Sequence, residues 1–360
     1  MEATVAQQTM TVLITGGTGF IGSNLAIRLL ETDSQVKVVL FDRNPDLSRL
    51  TGFGPRYDAV KDRITFVQGD LTILPHVLAL FDTHEPSSVF HLGALLSAGA
   101  EANPTMGFQT DTVGSWHVFE AARIYCQHAG TPPVRVLFPS TIASFGSFIA
   151  AGATVKNEDV QMPTTMYGVA KVSVERLGEY YNRKGWIDFR AVRYPSVIGA
   201  SRGPGGTTVY STLMIQEPFR DPPRTYIAYV DQDTRLDIIY ISEALDAIIG
   251  LHDAPAASLK PERRVYNIAG IKVDGQAPTA LDIKNAVLAL KPDAIIDFQV
   301  DAVLQATVRS FGILDDTAAQ TDWGWKAPAQ RMNLATAVTA FQKEVKDFPK
   351  RIKSLELFGA

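Results

Sequence analysis

Cysteine is almost missing from this chain, which has one, Cys126, among 360 residues. A single thiol can form neither an internal disulfide nor a cysteine-rich metal site, so a disulfide framework is excluded and a reducing compartment is expected. No apolar run approaches the ~18 residues that a membrane-spanning helix needs. Residues 1–9 lack the basic start and the apolar centre of a signal peptide. We therefore expect a cytoplasmic protein without a membrane segment.

An excess of either charge is missing as well. Lys and Arg total 34 against 38 Asp and Glu, a formal net charge of −4. Nucleic-acid-binding proteins usually have an excess of positive charge, which this chain lacks, so no nucleic-acid partner is expected. The six histidines show no zinc-ligand spacing, so no metal is expected either. The contents of 46% apolar and 20% charged residues are those of an ordinary globular chain.

Short apolar segments alternate with helical ones through the first half. Strands are predicted at residues 10–15, 36–42, 64–70, 88–92, 134–138 and 189–193, and helices at 20–30 and 111–122. This alternation indicates βαβ units, and hence an α/β fold with a Rossmann-type doubly wound parallel sheet.

The second half changes character. Gly/Pro-rich loops at residues 200–206 and 219–224 precede predicted helices at 242–252, 279–290 and 333–346. We predict a Rossmann domain over residues 10–200. Residues 201–350 are predicted to form a smaller region that is interleaved with the sheet.

Three glycines, Gly16, Gly19 and Gly22, stand three apart between the first strand and the first helix. This spacing allows a tight turn, a close approach to a pyrophosphate and close helix packing. A structural turn is the alternative, but Asp42 ends the second strand 20 residues after Gly22. A carboxylate there binds ribose hydroxyls and repels a 2′-phosphate, which favours NAD over NADP. Arg43 beside it weakens that preference.

Tyr167 and Lys171 are four residues apart, which places both on one face of a helix. A neighbouring ammonium is expected to lower the pKa of a phenol from ~10, so that Tyr167 can take a proton from an alcohol. Ser140 and Thr141 follow a strand and should emerge where α/β proteins bind ligands. No nucleophile-elbow sequence surrounds Ser140, which argues against a hydrolase.

In this order, these motifs resemble the extended short-chain dehydrogenase/reductase family, also called the NAD-dependent epimerase/dehydratase family. The resemblance implies that Tyr167 is the acid/base, that Lys171 binds the nicotinamide ribose and that Thr141 orients the substrate oxygen. One departure is Asp111, where many members have asparagine. The resemblance also implies NAD contacts from Gly16, Gly19, Phe20, Ile21, Gly22, Asp42, Arg43, Asp70, Leu71, Leu92, Gly93, Ala94, Tyr167, Lys171, Tyr194 and Pro195.

Within this family, segments 92–104, 164–168, 204–208 and 314–325 resemble the L-threonine 3-dehydrogenase branch. That resemblance implies a homodimer and a small substrate held by Ser97, Thr141, Tyr167, Thr207 and Thr208. An acid commonly follows the threonine pair in that branch, whereas this chain has Val209. Either the substrate lacks an amino group, or another acid such as Glu101 holds it.

We therefore expect an NAD-dependent dehydrogenase that oxidises the secondary alcohol of a small β-hydroxy acid. The substrate is threonine-like or a related hydroxy or sugar acid. The alternative is a nucleotide-sugar epimerase or dehydratase with tightly held NAD. In the epimerases an arginine directly precedes the aspartate of a related strand, whereas here Leu236 precedes Asp237 and Arg235 lies one step back, on the opposite face. A third interpretation is a non-catalytic NAD-binding protein.

Overall fold

The structure, a computed structural model, describes residues 10–146, 149–150 and 152–353. Residues 1–9, on which the expectation of no signal peptide rests, lie outside the described residues. Within these ranges the strands are β1 (Met10–Thr15), β2 (Val36–Asp42), β3 (Ile64–Gln68), β4 (Ser88–His91), β5 (Arg135–Thr141), β6 (Thr154–Val155), β7 (Asp188–Tyr194), β8 (Ser196–Ile198), β9 (Tyr226–Ala228), β10 (Ile238–Tyr240), β11 (Val265–Asn267), β12 (Ile296–Phe298) and β13 (Ile313–Leu314).

Helices connect these strands and cover the sheet. The α-helices are α1 (Phe20–Thr32), α2 (Ser48–Thr51), α3 (Pro55–Asp58), α4 (Leu74–His84), α5 (Ser97–Ala102), α6 (Pro104–Gly107), α7 (Gly114–Ala129), α8 (Met166–Arg183), α9 (Tyr210–Phe219), α10 (Ile241–Asp253), α11 (Ala280–Leu290), α12 (Ala302–Arg309), α13 (Thr317–Trp323), α14 (Leu334–Asp347) and α15 (Pro349–Lys353). Short 3₁₀ turns occupy Lys61–Arg63, Ile142–Ser144, Ala256–Ser258 and Pro328–Gln330. A π-helical segment, Phe108–Val113, lies between α6 and α7.

Seven parallel strands form the central sheet in the order β3-β2-β1-β4-β5-β7-β11. Val12, Leu13 and Ile14 of β1 are each at most 1% exposed, because helices cover both faces of the sheet. The strand order reverses between β1 and β4, which leaves a crevice outside the carboxyl ends of these strands. The predicted fold class, a Rossmann-type α/β sheet, is confirmed.

The second half of the chain contributes to the same sheet. β11 pairs with β7, so a strand from beyond residue 200 forms one edge. Short parallel pairs, β8 with β10, β9 with β12 and β6 with β13, lie outside the sheet. One hydrophobic cluster joins Ile14 and Leu40 of the first half to Ile238 and Phe341 of the second. The division at residue 200 stays a prediction.

Most predicted elements are present with ends that differ by a few residues. β5 extends to Thr141 rather than residue 138, and the helix predicted at 111–122 is part of a helical run from Pro104 to Ala129. None of the described helices has both the length and the apolar character that crossing a membrane requires. Within the same ranges, no group of three or more His, Cys, Asp or Glu side chains could hold a metal ion.

Candidate active site

One cavity of about 500 Å³ lies at the carboxyl edge of the sheet. Every site residue predicted from the sequence lines it. From the predicted cofactor set these are Gly16, Gly19, Phe20, Ile21, Gly22, Asp42, Arg43, Asp70, Leu71, Leu92, Gly93, Ala94, Tyr194 and Pro195. From the predicted catalytic and substrate set these are Ser97, Thr141, Tyr167, Lys171, Thr207 and Thr208.

The glycine loop leaves no space for side chains. Gly16 has a φ of +68°, and a Cβ there would lie 2.7 Å from the backbone nitrogen of Gly93. A Cβ on Gly22 would lie 2.3 Å from the carbonyl oxygen of Gly16. Gly19 precedes α1 without a side-chain cap, so the first N–H groups of α1 are available to an anion. This arrangement fits the pyrophosphate of a dinucleotide.

Asp42 is held in place at the end of β2. Its Oδ2 accepts a hydrogen bond from the backbone N–H of Thr18, and its Oδ1 accepts one from that of Asn44, each at 3.1 Å. Each carboxylate oxygen has a second lone pair for a ribose hydroxyl. The acid and the glycine loop line the same cavity, so the residues present fit an NAD molecule.

The N-terminus of α8 positions Tyr167. The side chain of Thr165 caps this helix by accepting a hydrogen bond from the N–H of Gly168 at 3.1 Å. Glu101 accepts a hydrogen bond from the N–H of Met166 at 2.5 Å. One turn further along, the Nζ of Lys171 donates to the carbonyl oxygen of Pro139 at 2.9 Å and lies 5.4 Å from the ring centre of Tyr167. Tyr167 and Lys171 therefore share one face of α8, as their spacing predicts.

Thr141 and Ser140 have different environments at the end of β5. The buried Ser140 hydroxyl donates to Glu175. The Oγ1 of Thr141 accepts a hydrogen bond from the N–H of Ala143 at 3.1 Å, and its own proton has no acceptor among the described residues. Thr141 is therefore the hydroxyl with a proton to offer a ligand.

Burial dominates the electrostatics of the site. It raises the pKa of Tyr167 above its ordinary value; Asp111 raises it further and Arg202 lowers it. The predicted lowering of the Tyr167 pKa is therefore wrong. Burial also lowers the pKa of Lys171 to about 8, against the opposing effects of Asp111 and Glu175.

Asp111 lies behind Tyr167 in the π-helical segment. Burial raises the pKa of its carboxyl to about 6, although Lys171 and the hydrogen bond from Leu95 N–H lower it. The Leu95 N–H donates to Oδ1 at 2.6 Å, and Oδ2 is buried without a hydrogen-bond partner among the described residues. π-helical segments occur frequently at functional sites.

His91 has a packing role. It is fully buried, with Nδ1 2.7 Å from the Thr15 hydroxyl and Nε2 2.8 Å from the Ser115 hydroxyl. Burial, together with the positive charge of Lys171, lowers the pKa of His91 to about 3. His91 is therefore neutral across the physiological pH range.

The sequence interpretation missed Arg202, which lines the cavity in the loop after β8. The sequence interpretation of this loop used its glycines and prolines and the Thr207/Thr208 pair, and it assigned no role to Arg202. The signal that could have found it is a cation in the loop between the predicted strand at residues 189–193 and the Thr207/Thr208 pair. Glu101, the predicted alternative acid, instead binds the start of α8 and is not among the residues that line the cavity.

Comparisons with known proteins agree with this geometry. The chain matches the model of the NAD dependent epimerase/dehydratase family over residues 12–269. It is 32% identical over 332 residues to the mitochondrial L-threonine 3-dehydrogenase of Bos taurus, an alignment that covers 92% of this chain and 82% of the relative.

Solved structures give the same result. An L-threonine dehydrogenase from Cupriavidus necator in its holo form has a TM-score of 0.79 and 30% identity, covering 93% of this chain and 99% of that one. A monomeric L-threonine 3-dehydrogenase from a metagenome has a TM-score of 0.76 and 25% identity, covering 97% of this chain and 100% of that one. The chain therefore belongs to the NAD-dependent epimerase/dehydratase family and is an NAD-dependent oxidoreductase.

Proposed function

We propose that the chain is a dehydrogenase that oxidises the secondary alcohol of a small β-hydroxy acid, threonine-like or a related hydroxy or sugar acid, to the ketone. The observation that carries this proposal is the convergence of Thr141, Tyr167 and Lys171 on the cavity that also contains the glycine loop and Asp42. Residues 10–200 supply the cofactor site and these three side chains, and residues 201–350 supply Thr207 and Thr208 to the substrate.

Each polar group has a separate task in this reaction. The Thr141 hydroxyl donates a hydrogen bond that orients the substrate oxygen, and Tyr167 takes the proton of the substrate hydroxyl. Positive charge at Arg202 favours the deprotonated phenol, against the burial that disfavours it. Lys171 lies beside the phenol of Tyr167 and binds the nicotinamide ribose of the cofactor. NAD, when bound, supplies the acceptor for the hydride.

The contacts of Arg235 disfavour the epimerase alternative. The Arg235 Nη1 donates to the carbonyl oxygen of Ala277 at 2.6 Å, and this side chain does not line the cavity. Leu236 is buried, and Asp237 accepts hydrogen bonds from the backbone N–H groups of Gly270 and Leu314. In the part of the chain that the structure describes, this segment offers no guanidinium to a sugar-nucleotide diphosphate.

Net NADH formation tests the proposal. An epimerase regenerates its cofactor within each cycle, whereas a dehydrogenase releases one NADH for each alcohol oxidised. We expect absorbance of NADH to accumulate with hydroxy acids, and Tyr167→Phe to reduce turnover by at least about 10²-fold, since general acid–base catalysis contributes on that order. NAD binding to Tyr167→Phe should stay near that of the wild type. Turnover near the wild-type level in this variant contradicts the mechanism.

A homodimer is a further part of this proposal. Trp116 on α7 and Val169 and Tyr180 on α8 are each about 40% exposed. Val118 and Phe119, which follow Trp116 on α7, are fully buried in the chain's own core. Light scattering after size-exclusion chromatography should give the mass of two chains, and Trp116→Glu should give one. A monomeric wild type would contradict this part.

We also propose a cytoplasmic location, since Cys126 is a free, buried thiol, as expected in a reducing compartment.

A further inference from the structure

Arg202 is a cation built into the wall of the cavity next to the proposed catalytic residues. It lies in the loop between β8 and α9, and it lines the cavity together with Ser97, Thr207 and Tyr167. Arg202 and Tyr167 are near enough for each to influence the pKa of the other. A negatively charged group bound to Arg202 would therefore share the cavity with the proposed acid/base.

One edge of the Arg202 guanidinium is fixed by the protein. Nη1 donates to the Ser196 hydroxyl at 3.0 Å and to the carbonyl oxygen of Val197 at 2.9 Å. Nη2 donates to the Thr208 hydroxyl at 3.1 Å, and the two hydroxyls lie 2.7 Å apart. A weaker contact joins Nη1 to the Thr212 hydroxyl at 3.5 Å. These contacts occupy the edge formed by the two terminal nitrogens and hold the side chain in one orientation.

The other edge has no protein acceptor. The Nε–H of Arg202 and one of the two N–H groups of Nη2 make no hydrogen bond to any described residue. Together they form a planar two-donor fork, the geometry that matches the two oxygens of a carboxylate. A Cβ on Gly206 would lie 3.0 Å from Nη2, so the absence of a side chain there keeps this part of the guanidinium uncrowded.

The charge of Arg202 is also not neutralised by the described residues. None of their carboxylates lies within 4 Å of it, whereas Arg193 and Arg190 each form ion pairs with carboxylates. Burial lowers the pKa of the Arg202 guanidinium to about 10, which leaves it charged at neutral pH. A partly buried cation with only hydroxyl and carbonyl partners is costly unless an anion binds to it.

Among the described residues, no acid lines this part of the cavity and could receive an ammonium group. The acids that line the cavity are Asp42 and Asp70, both predicted to contact the cofactor. Glu101 binds the start of α8, and Val209 is buried and does not line the cavity.

We propose that the free donor edge of Arg202 binds the substrate carboxylate and that the preferred substrate is a hydroxy acid or sugar acid without an amino group. This proposal rests on the proposed dehydrogenase function and narrows its substrate class. Ser196 acts through Arg202 as a positioning residue, because its hydroxyl accepts a hydrogen bond from the guanidinium. Thr208 also orients the guanidinium, in addition to its proposed contact with the substrate.

The test compares three small alcohols of similar size on the wild type and on Arg202→Met. The compounds are 3-hydroxybutanoate, its uncharged amide 3-hydroxybutanamide, and L-threonine, which adds an ammonium group. Arg235→Met is the matched control, because Arg235 is exposed, lies outside the cavity and bonds to the carbonyl oxygen of Ala277. Arg202→Gln is a second variant that retains hydrogen-bond donors without the charge, should the methionine variant not fold.

The wild type should have a kcat/KM at least about 10-fold higher for 3-hydroxybutanoate than for the amide or threonine. Arg202→Met should raise KM for 3-hydroxybutanoate by roughly 10- to 100-fold, the usual effect of losing charged hydrogen bonds, and should leave the amide within about threefold. Arg235→Met should leave the kinetic constants for both 3-hydroxybutanoate and its amide unchanged. NAD binding, followed by protein fluorescence, should match the wild type in all variants.

Equal losses on the acid and on the amide would overturn the proposal, because a purely structural role affects both alike. Threonine turned over better than 3-hydroxybutanoate by the wild type would also overturn it. Calorimetric titration of the NADH-loaded protein with 3-hydroxybutanoate separates this proposal from the proposed function. Binding that is lost in Arg202→Met supports the carboxylate site even if no alcohol is oxidised, whereas binding that is unchanged in Arg202→Met refutes it.

Discussion

Replacing Glu175 by glutamine removes a negative charge from the interior of the protein, one turn beyond Lys171 on α8. The Glu175 side chain is fully buried, and Arg193 on β7 donates to both of its oxygens, from Nε at 3.0 Å and from Nη2 at 2.8 Å. Ser140 and Gln161 donate to the same carboxylate. In the variant, the glutamine carbonyl oxygen can still accept one hydrogen bond from Arg193, but the negative charge and the second acceptor are lost. The other partners of this guanidinium among the described residues, the oxygens of Asn157 and Asn267, are uncharged.

Removing one partner of a buried ion pair leaves an uncompensated charge and costs about 3–5 kcal/mol. For a chain of 360 residues the entropy of unfolding is about 0.8 kcal/mol per kelvin, so Tm should fall by about 4–7 °C. Burial alone would raise the pKa of Glu175, but Arg193 and the other donors hold it below its ordinary value. The stabilisation that ionised Glu175 contributes is therefore fully present above its unfolded-state pKa of ~4.3, and it is lost as the pH falls through its folded-state pKa.

Calorimetry or urea titration near pH 7 measures the loss, with Glu179→Gln as the control. Glu179 lies one turn further along α8 and pairs with Arg176 at 2.6 Å, and the Arg176 side chain is 56% exposed. Such a helix-surface pair contributes below ~0.5 kcal/mol, so Tm of Glu179→Gln should change by less than about 1 °C.

A double-mutant cycle identifies the source of the effect. If the uncompensated charge of Arg193 causes the loss, the variant that combines Glu175→Gln with Arg193→Met should be less destabilised than the sum of the two single variants. Equal Tm losses for Glu175→Gln and Glu179→Gln, or an additive cycle, would refute the reasoning.

Three further predictions concern the cofactor site and its surroundings. Asp42→Ala should weaken NAD binding by roughly 10- to 100-fold and raise the affinity for NADP relative to NAD, measured by fluorescence titration; an unchanged ratio would contradict the role of the carboxylate. Gly22→Ala should weaken NAD binding at least about 10-fold in calorimetry, because its Cβ would lie 2.3 Å from the Gly16 carbonyl oxygen; wild-type affinity would argue against the glycine loop as the cofactor cradle. His91 should stay neutral from about pH 5 to 8, so NMR should show no titration of its ring. Because only the unfolded chain binds that proton, stability should fall as the pH drops below ~6.5.

Local spacing made much of the site predictable. Glycines three apart after a strand, an acid at the end of the next strand and a tyrosine four residues before a lysine are all encoded within short segments. The parallel sheet then brings the carboxyl ends of β1, β2 and β5 to one edge, so residues distant in sequence share one cavity. The alternation of strands and helices predicted the doubly wound parallel sheet. The strand ends shifted by a few residues, because backbone pairing with neighbouring strands decides them.

Properties that depend on the surroundings of a side chain in the folded protein were harder to predict from the sequence. The predicted lowering of the Tyr167 pKa considered only the spacing to Lys171, whereas burial and Asp111 act in the opposite direction. The sequence also did not show which apolar residues of α7 face outward: Val118 and Phe119 pack inside their own chain, whereas Trp116 is about 40% exposed.

The sequence by itself determined the fold class and the cofactor, because hydrophobic period and residue types at short fixed spacings encode them. The candidate catalytic residues came from the spacing of Tyr167 and Lys171 together with what the family resemblance implies. Only the tertiary structure decided what the cavity offers a substrate. The sequence marks Arg202 only as a loop arginine. In the structure, β8 and the loop before α9 place Ser196 and Thr208 against one edge of its guanidinium and leave the other edge without an acceptor among the described residues. Desolvation and side-chain direction arise from packing between distant segments, so no local pattern of residues can specify them.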